Sequence, residues 1–130
     1  MAEGVSTYGI QAGPAGTIDD VLFGLLRYRE VLGAVTISCE GLVVGSAGIS
    51  PQDAEVVGAL GAALVGATDR SARRLGAGPV QEFSLGTENG MVHLRNGGEF
   101  AILLFTERCD SMAATALCAE AVQSVGQLLA

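Results

Sequence analysis

Lysine is missing altogether from this 130-residue chain, and its seven basic residues are all arginine. A Walker-type phosphate loop needs its lysine and Schiff-base chemistry needs a lysine amine, so both classes fall away. Tryptophan is absent too, and aromatics reach only 5% although 49% of the residues are apolar. The core must therefore be built from Val, Leu, Ile and Ala, in a globular chain and not a disordered one. Three cysteines, Cys39, Cys109 and Cys118, are an odd and sparse set. They make neither a disulfide framework nor a close-spaced metal motif, which implies a reducing, cytoplasmic compartment. One histidine, His93, cannot hold a metal alone, and no His-x-x-His or Cys-x-x-Cys spacing assists it. Positive charge is scarce: a formal net charge of -7 leaves no basic field for nucleic acid or anionic membrane. No uncharged apolar stretch reaches the roughly 20 residues of a membrane-spanning helix, and the first residues do not read as a signal peptide.

What is present fits one domain. Residues 1–16, rich in Gly and with only Tyr8 and Ile10 as sizeable apolar side chains, read as a leader, leaving 17–130 as the domain. Thr17 with Asp20 three residues on forms a capping box, and Ile18, Val21, Leu22 and Leu25 share one face, predicting a helix that ends near Glu30. From Gly33 the period becomes two, with Val35, Ile37 and Cys39 on one face. After the turn at Glu40-Gly41 a short second strand, Leu42 to Val44, is stopped by Gly45. A long helix spans about Gln52 to Leu75 and is apolar on two sides. Val57, Leu60, Leu64, Ala67 and Leu75 form a stripe expected to cover a sheet. Gly58, Ala62 and Gly66, with Val65 beside them, form a smooth face expected to meet another backbone. Gly76 stops this helix. Strands then follow at Gln81 to Thr87, around Val92 and Leu94 after the Asn89-Gly90 turn, and at Phe100 to Phe105, whose unbroken apolar run marks a central strand. Asp110 or Ser111 can cap a last helix with Ala114, Leu117, Ala121, Val125 and Leu128 inward. The order is α-β-β-α-β-β-β-α, an α/β chain of the α+β type, with the fifth strand beside the first and the second and third strands at the edges.

This pattern resembles the roadblock family of dynein light chains and their bacterial relatives. The resemblance covers about Thr17 to Leu129 and rests on Gly33 to Leu42, the Ala/Gly-rich helix after Ala54, the Leu75-Gly76 stop, Gln81 to Leu85, and Phe100 to Phe105. Glu40, before the turn glycine, fits the family's acidic residue. The resemblance implies a five-stranded antiparallel sheet with helices on its faces and a homodimer built through the second helix and third strand. It also implies regulation or scaffolding of a Ras-like small GTPase, with no catalytic constellation to transfer.

The residues support the same reading, a non-catalytic adaptor with no cofactor or metal expected. The expected dimer surface is Gly58, Ala62, Val65, Gly66 and Asp69 on the helix with Gln81, Phe83 and Leu85 on the unguarded third strand. The expected GTPase-contacting set is Glu55, Ala59, Ala63 and Arg70. Arg70, Arg73 and Arg74 otherwise serve to offset the helix dipole. His93 reads as a surface or sheet-packing residue, and Cys39 and Cys118 as small core hydrophobes. Only Cys109 looks like an exposed thiol, and it lacks a neighbouring base. Gly76-Ala77-Gly78 ends a helix instead of opening one, so it is no phosphate loop. A scaffold subunit of a motor or sensor-kinase assembly and a small-ligand sensor are the alternative readings.

Overall fold

Thr17 caps the first helix as its sequence requires: the hydroxyl accepts from the Asp20 N–H at 3.1 Å, and the Asp20 carboxylate accepts from the Thr17 N–H. In the computed structural model, which describes residues 16–108 and 111–129, this helix is α1, Ile18–Leu25. It ends before Glu30 because Leu26 and Tyr28 donate to carbonyls three residues back, which tightens the chain into a turn. The strands β1 (Val31–Ser38) and β2 (Val43–Ala47) follow, then α2 (Pro51–Arg74), β3 (Glu82–Gly86), β4 (Met91–Asn96), β5 (Phe100–Thr106) and α3 (Ser111–Leu129). The leader's Tyr8 and Ile10, the Cys109 thiol, the Asp110 cap and the Ser111 side chain lie outside the described residues.

All five strands form one antiparallel sheet in the order β2-β1-β5-β4-β3. The uninterrupted apolar run of β5 is central as expected, buried along nearly its whole length. Gly45 does not stop β2. It pairs with Thr36, and its missing side chain admits α1, since a methyl group there would lie 2.7 Å from Ile18 Cγ2.

α1 and α3 cover one sheet face around Leu22, Ala34, Ile102, Leu104, Ala114 and Val125. Full burial of each large aliphatic side chain contributes about 1.5–3 kcal/mol. On α3 the inward stripe is Ala114, Cys118, Ala121 and Val125, whereas Leu128 remains 38% exposed. Cys118 is thus a core residue, as expected. Cys39 is not: β1 ends at Ser38, and the thiol stands exposed in the turn, 3.3 Å from the Glu99 carbonyl oxygen.

The opposite face carries α2, and here the expected orientation is largely reversed: of the stripe assigned to the sheet Val57 does pack on it, whereas Ala67 is exposed with the leucines. The residues α2 buries are Ala54, Gly58 and Gly61, with Val57, Ala62 and Val65 packed beside them. Leu60, Leu64 and Leu75, assigned to the sheet by the helical wheel, are 59%, 40% and 85% exposed. Bulk explains the exchange. The sheet already supplies Val35, Ile37 and Leu103, so only small residues let the helix come close. A methyl group on Gly58 would sit 2.9 Å from the Gly41 carbonyl oxygen, and one on Gly61 would sit 3.1 Å from Leu103.

Candidate functional site

Because α2 packs chiefly on β1 and β2, it leaves β3 and the Val92 end of β4 less covered on that face, while Leu94 of β4 is buried there. Gly58 and Ala62 lie over the β1–β2 turn and Gly61 over Leu103 of β5. The flank bearing Leu60 and Leu64 is thereby turned toward the less covered part of the sheet. There Phe83, Val92 and Phe105 are only half-buried and Leu85 is 45% exposed. Exposed Leu60 and Leu64 form the wall and sheet side chains the floor of one apolar corner, with exposed Val56 on the outward shoulder of the helix near Ala63.

The corner borders an open strand edge. The Asn96 N–H donates to the Gln81 carbonyl, and the Thr87 N–H to the Gly90 carbonyl. Antiparallel ladders alternate, so the backbone groups of Glu82, Ser84 and Gly86 point away from β4 toward the free edge. The other edge, β2, is protected: its Ser46 N–H donates to Asp19 Oδ1 at 3.0 Å.

The residues expected at a dimer surface therefore divide. Phe83 and Leu85 lie in the apolar corner, and Gln81 is exposed just before β3. Gly58 and Ala62 are occupied by their own chain's β1–β2 turn, so the small face is an internal contact. Val65 and Gly66 are half-buried on the flank away from Leu60 and Leu64. Asp69 accepts from Arg73 Nε at 2.7 Å and from the Val80 N–H at 3.2 Å. Those two bonds hold its carboxyl below the ordinary carboxylate range, the arginine having the larger effect. The sequence pattern missed Val56, Leu60 and Leu64 as surface residues, although the second apolar face of α2 was the available signal.

Glu55, Ala59, Ala63 and Arg70 share an exposed flank of α2. Among the described residues, neither Glu55 nor Arg70 has an ion-pair partner. Arg74 and Asp53, at opposite ends of the Val56–Leu60–Leu64 stripe, are likewise unpaired.

His93 is 1% exposed and ties three strands together, its Nδ1 2.8 Å from the Ser84 hydroxyl and its Nε2 3.2 Å from the Thr106 hydroxyl. Burial lowers its pKa and favours the neutral ring. Both ring nitrogens are engaged in this tie, which is the sheet-packing role. Burial pushes the Cys118 thiol up to about 12, so it is no nucleophile. Among the described residues no three His, Cys, Asp or Glu side chains group to hold a metal ion, and no helix is long and apolar enough to cross a membrane.

Residues 17–107 match the Roadblock/LC7 domain family. The uncharacterized protein MJ0310 of Methanocaldococcus jannaschii is 31% identical over 90 residues, covering 69% of this chain and 79% of that protein. Among solved structures, a Roadblock/LC7 domain from Streptomyces avermitilis superposes with a TM-score of 0.82 at 24% identity, over 87% of this chain and 98% of its own. MglB of Myxococcus xanthus superposes with a TM-score of 0.78 at 15% identity, over 86% of this chain and 94% of its own. With its strand order, its helix placement and a match over most of its length, the chain belongs to the Roadblock/LC7 domain family.

Proposed function

We propose that the chain is a non-catalytic, cytoplasmic homodimer that regulates a Ras-like small GTPase. The observation that carries this reading is the exposure of Val56, Leu60 and Leu64, at 61%, 59% and 40%, on a helix whose opposite face already closes the core. Exposed apolar surface rimmed by charge marks protein-binding sites. The occupant of the apolar corner is a second copy of the chain. The free edge of β3 offers a strand to pair, and two antiparallel α2 helices bring the unpaired Asp53 of each toward the unpaired Arg74 of the other. The flank with Glu55, Ala59, Ala63 and Arg70 stays outside that contact and receives the GTPase, the partner implied by the family resemblance.

Sedimentation and calorimetry test the two halves separately. The wild type should sediment as a dimer at tens of micromolar, and Leu60→Asp with Leu64→Asp should yield a folded monomer, since burying two unpaired carboxylates is prohibitive. A monomeric wild type refutes the dimer. Against the Ras-like GTPase encoded nearest this gene, loaded with each nucleotide, Arg70→Glu should weaken binding more than Arg95→Glu. Equal losses, or no binding in either nucleotide state, refute the GTPase reading.

A further inference from the structure

On the sheet face opposite α2, α1 and α3 lie side by side, and the seam between them does not close. A groove of about 200 Å³ remains, with Val21, Leu25 and Tyr28 on one wall and Ala121 and Ser124 on the other. Gly24 keeps it open. A methyl group there would meet nothing within 4 Å among the described residues, and the φ of Gly24 is not positive, so neither packing nor backbone conformation calls for glycine. Alanine is the better helix former by about 0.8–1 kcal/mol. Most polar groups on the rim are already engaged. Arg27 stacks 5.0 Å from the centroid of the Tyr28 ring and donates to its hydroxyl at 3.0 Å. Asp20 Oδ2 accepts from the Gly16 and Thr17 N–H groups, each at 3.1 Å. Glu120 is left without an ion-pair partner among the described residues.

The two bonds to Asp20 also fix where the chain comes from. Because Asp20 itself lines the groove, the chain preceding Gly16 reaches α1 at the groove's mouth. Residues 1–15 lie outside the described residues, but their length and composition suit this groove. Ile10 stands six residues before Gly16, an extended reach of up to about 20 Å, whereas the groove from Asp20 to Leu25 is about 8 Å long. Residues 4–16 carry no charge, so Asp20 and Glu120 do not repel them. Tyr8 and Ile10, two residues apart, project to the same side of an extended run. A second copy, by contrast, would bring a net charge of -7 to the same carboxylates. Tethered this closely, the segment competes at an effective concentration on the order of millimolar.

We propose that the segment before α1 folds back into the α1–α3 groove of its own chain, with the Ile10 side chain filling the space beside Gly24 and Tyr8 packed further along toward Tyr28. This contact closes the α1–α3 face within the chain and leaves α2 as the face for other chains. It lies on the opposite side of the sheet from α2, so it holds or fails independently of the dimer and of the GTPase. Backbone ¹⁵N relaxation on the full labelled chain tests it. Residues 8–12 should have order parameters near the value of about 0.85 that marks rigid backbone. Ile10→Asp should lower them below about 0.6 and shift the amides of Val21, Gly24, Tyr28, Ala121 and Ser124. Gly24→Leu, which fills the groove from within, should release the segment in the same way while its spectrum stays dispersed. Ile10 precedes the domain, so the Ile10→Asp result stands whether or not Gly24→Leu folds. Mobile residues 8–12 in the wild type would leave the groove to another protein and overturn the assignment. Groove amides unmoved by Ile10→Asp, or residues 8–12 still ordered in a folded Gly24→Leu chain, would overturn it as well. Groove amides that move when the wild type is diluted would give the groove to a second copy, with the same consequence.

Discussion

Two glycines in one helix offer a controlled measurement of which α2 face the fold uses. Replacing a helix-interior glycine by alanine gains about 0.8–1 kcal/mol from propensity. At Gly66 nothing opposes that gain, because the new methyl has space, and Gly66→Ala should stabilise by about 1 kcal/mol. At Gly58 the methyl would lie 2.9 Å from the Gly41 carbonyl oxygen and 3.0 Å from Ile37 Cγ2. One is backbone in a tight turn and the other a core side chain, so neither yields cheaply, and overpacking of this kind costs about 1–3 kcal/mol. The net effect of Gly58→Ala is then a destabilisation of about 0–2 kcal/mol. Propensity cancels between the two variants, so their difference isolates the overpacking, about 1–3 kcal/mol. Urea unfolding followed by far-ultraviolet circular dichroism, at one fixed protein concentration so that self-association contributes equally, reads it directly. If Gly58→Ala is as stable as Gly66→Ala, the small face does not lie on the sheet, and the inversion described above is wrong.

Two further outcomes follow from buried polar groups. Thr36 is fully buried with a hydroxyl that has no hydrogen-bond partner, so the isosteric Thr36→Val should raise unfolding stability by about 1–2 kcal/mol, and a loss in urea unfolding would mean that the hydroxyl is satisfied. His93 titrates below its ordinary value of 6.5 when folded, so below pH 6.5 the unfolded chain binds the extra proton. Stability should therefore be fully present above pH 6.5 and fall as the pH drops from there toward the folded pKa. The urea midpoint should be lower at pH 5.5 than at 7.5, and His93→Gln should shrink that difference; an unchanged difference would place the pH dependence elsewhere.

Much of the fold was legible because one strong local signal governed each element. The Thr17–Asp20 box, the β3–β4 hairpin and the unbroken β5 run each act through a few adjacent residues; the box and the run stand where the pattern put them, and the hairpin turns one residue earlier than Asn89-Gly90, at Glu88-Asn89, since the Thr87 N–H donates to the Gly90 carbonyl. The errors arose where distant parts of the chain decided the outcome. Gly45 looks like a strand stop and is instead a seat for α1, which depends on Ile18 far away in sequence. Cys39 continues the alternation of β1 by pattern, yet the strand ends one residue earlier and the thiol joins the turn. His93 gave no hint of its partners, because Ser84 and Thr106 reach it only through strand register.

α2 shows why the candidate site was harder to read than the fold. A helical wheel reveals two apolar faces but cannot say which one belongs to the chain's own sheet, since both satisfy the same period. Side-chain volume decides. The sheet brings the bulk, so the small face goes inward and the leucines are left outside. The consequence is a separation of roles along one helix: Ala54, Gly58 and Gly61 close the core, whereas Val56, Leu60 and Leu64 could become polar without opening any cavity in it. A stripe that the monomer does not need is under no packing constraint to stay apolar. Its apolar character, beside a strand edge with unpaired backbone groups, is what a second chain would require.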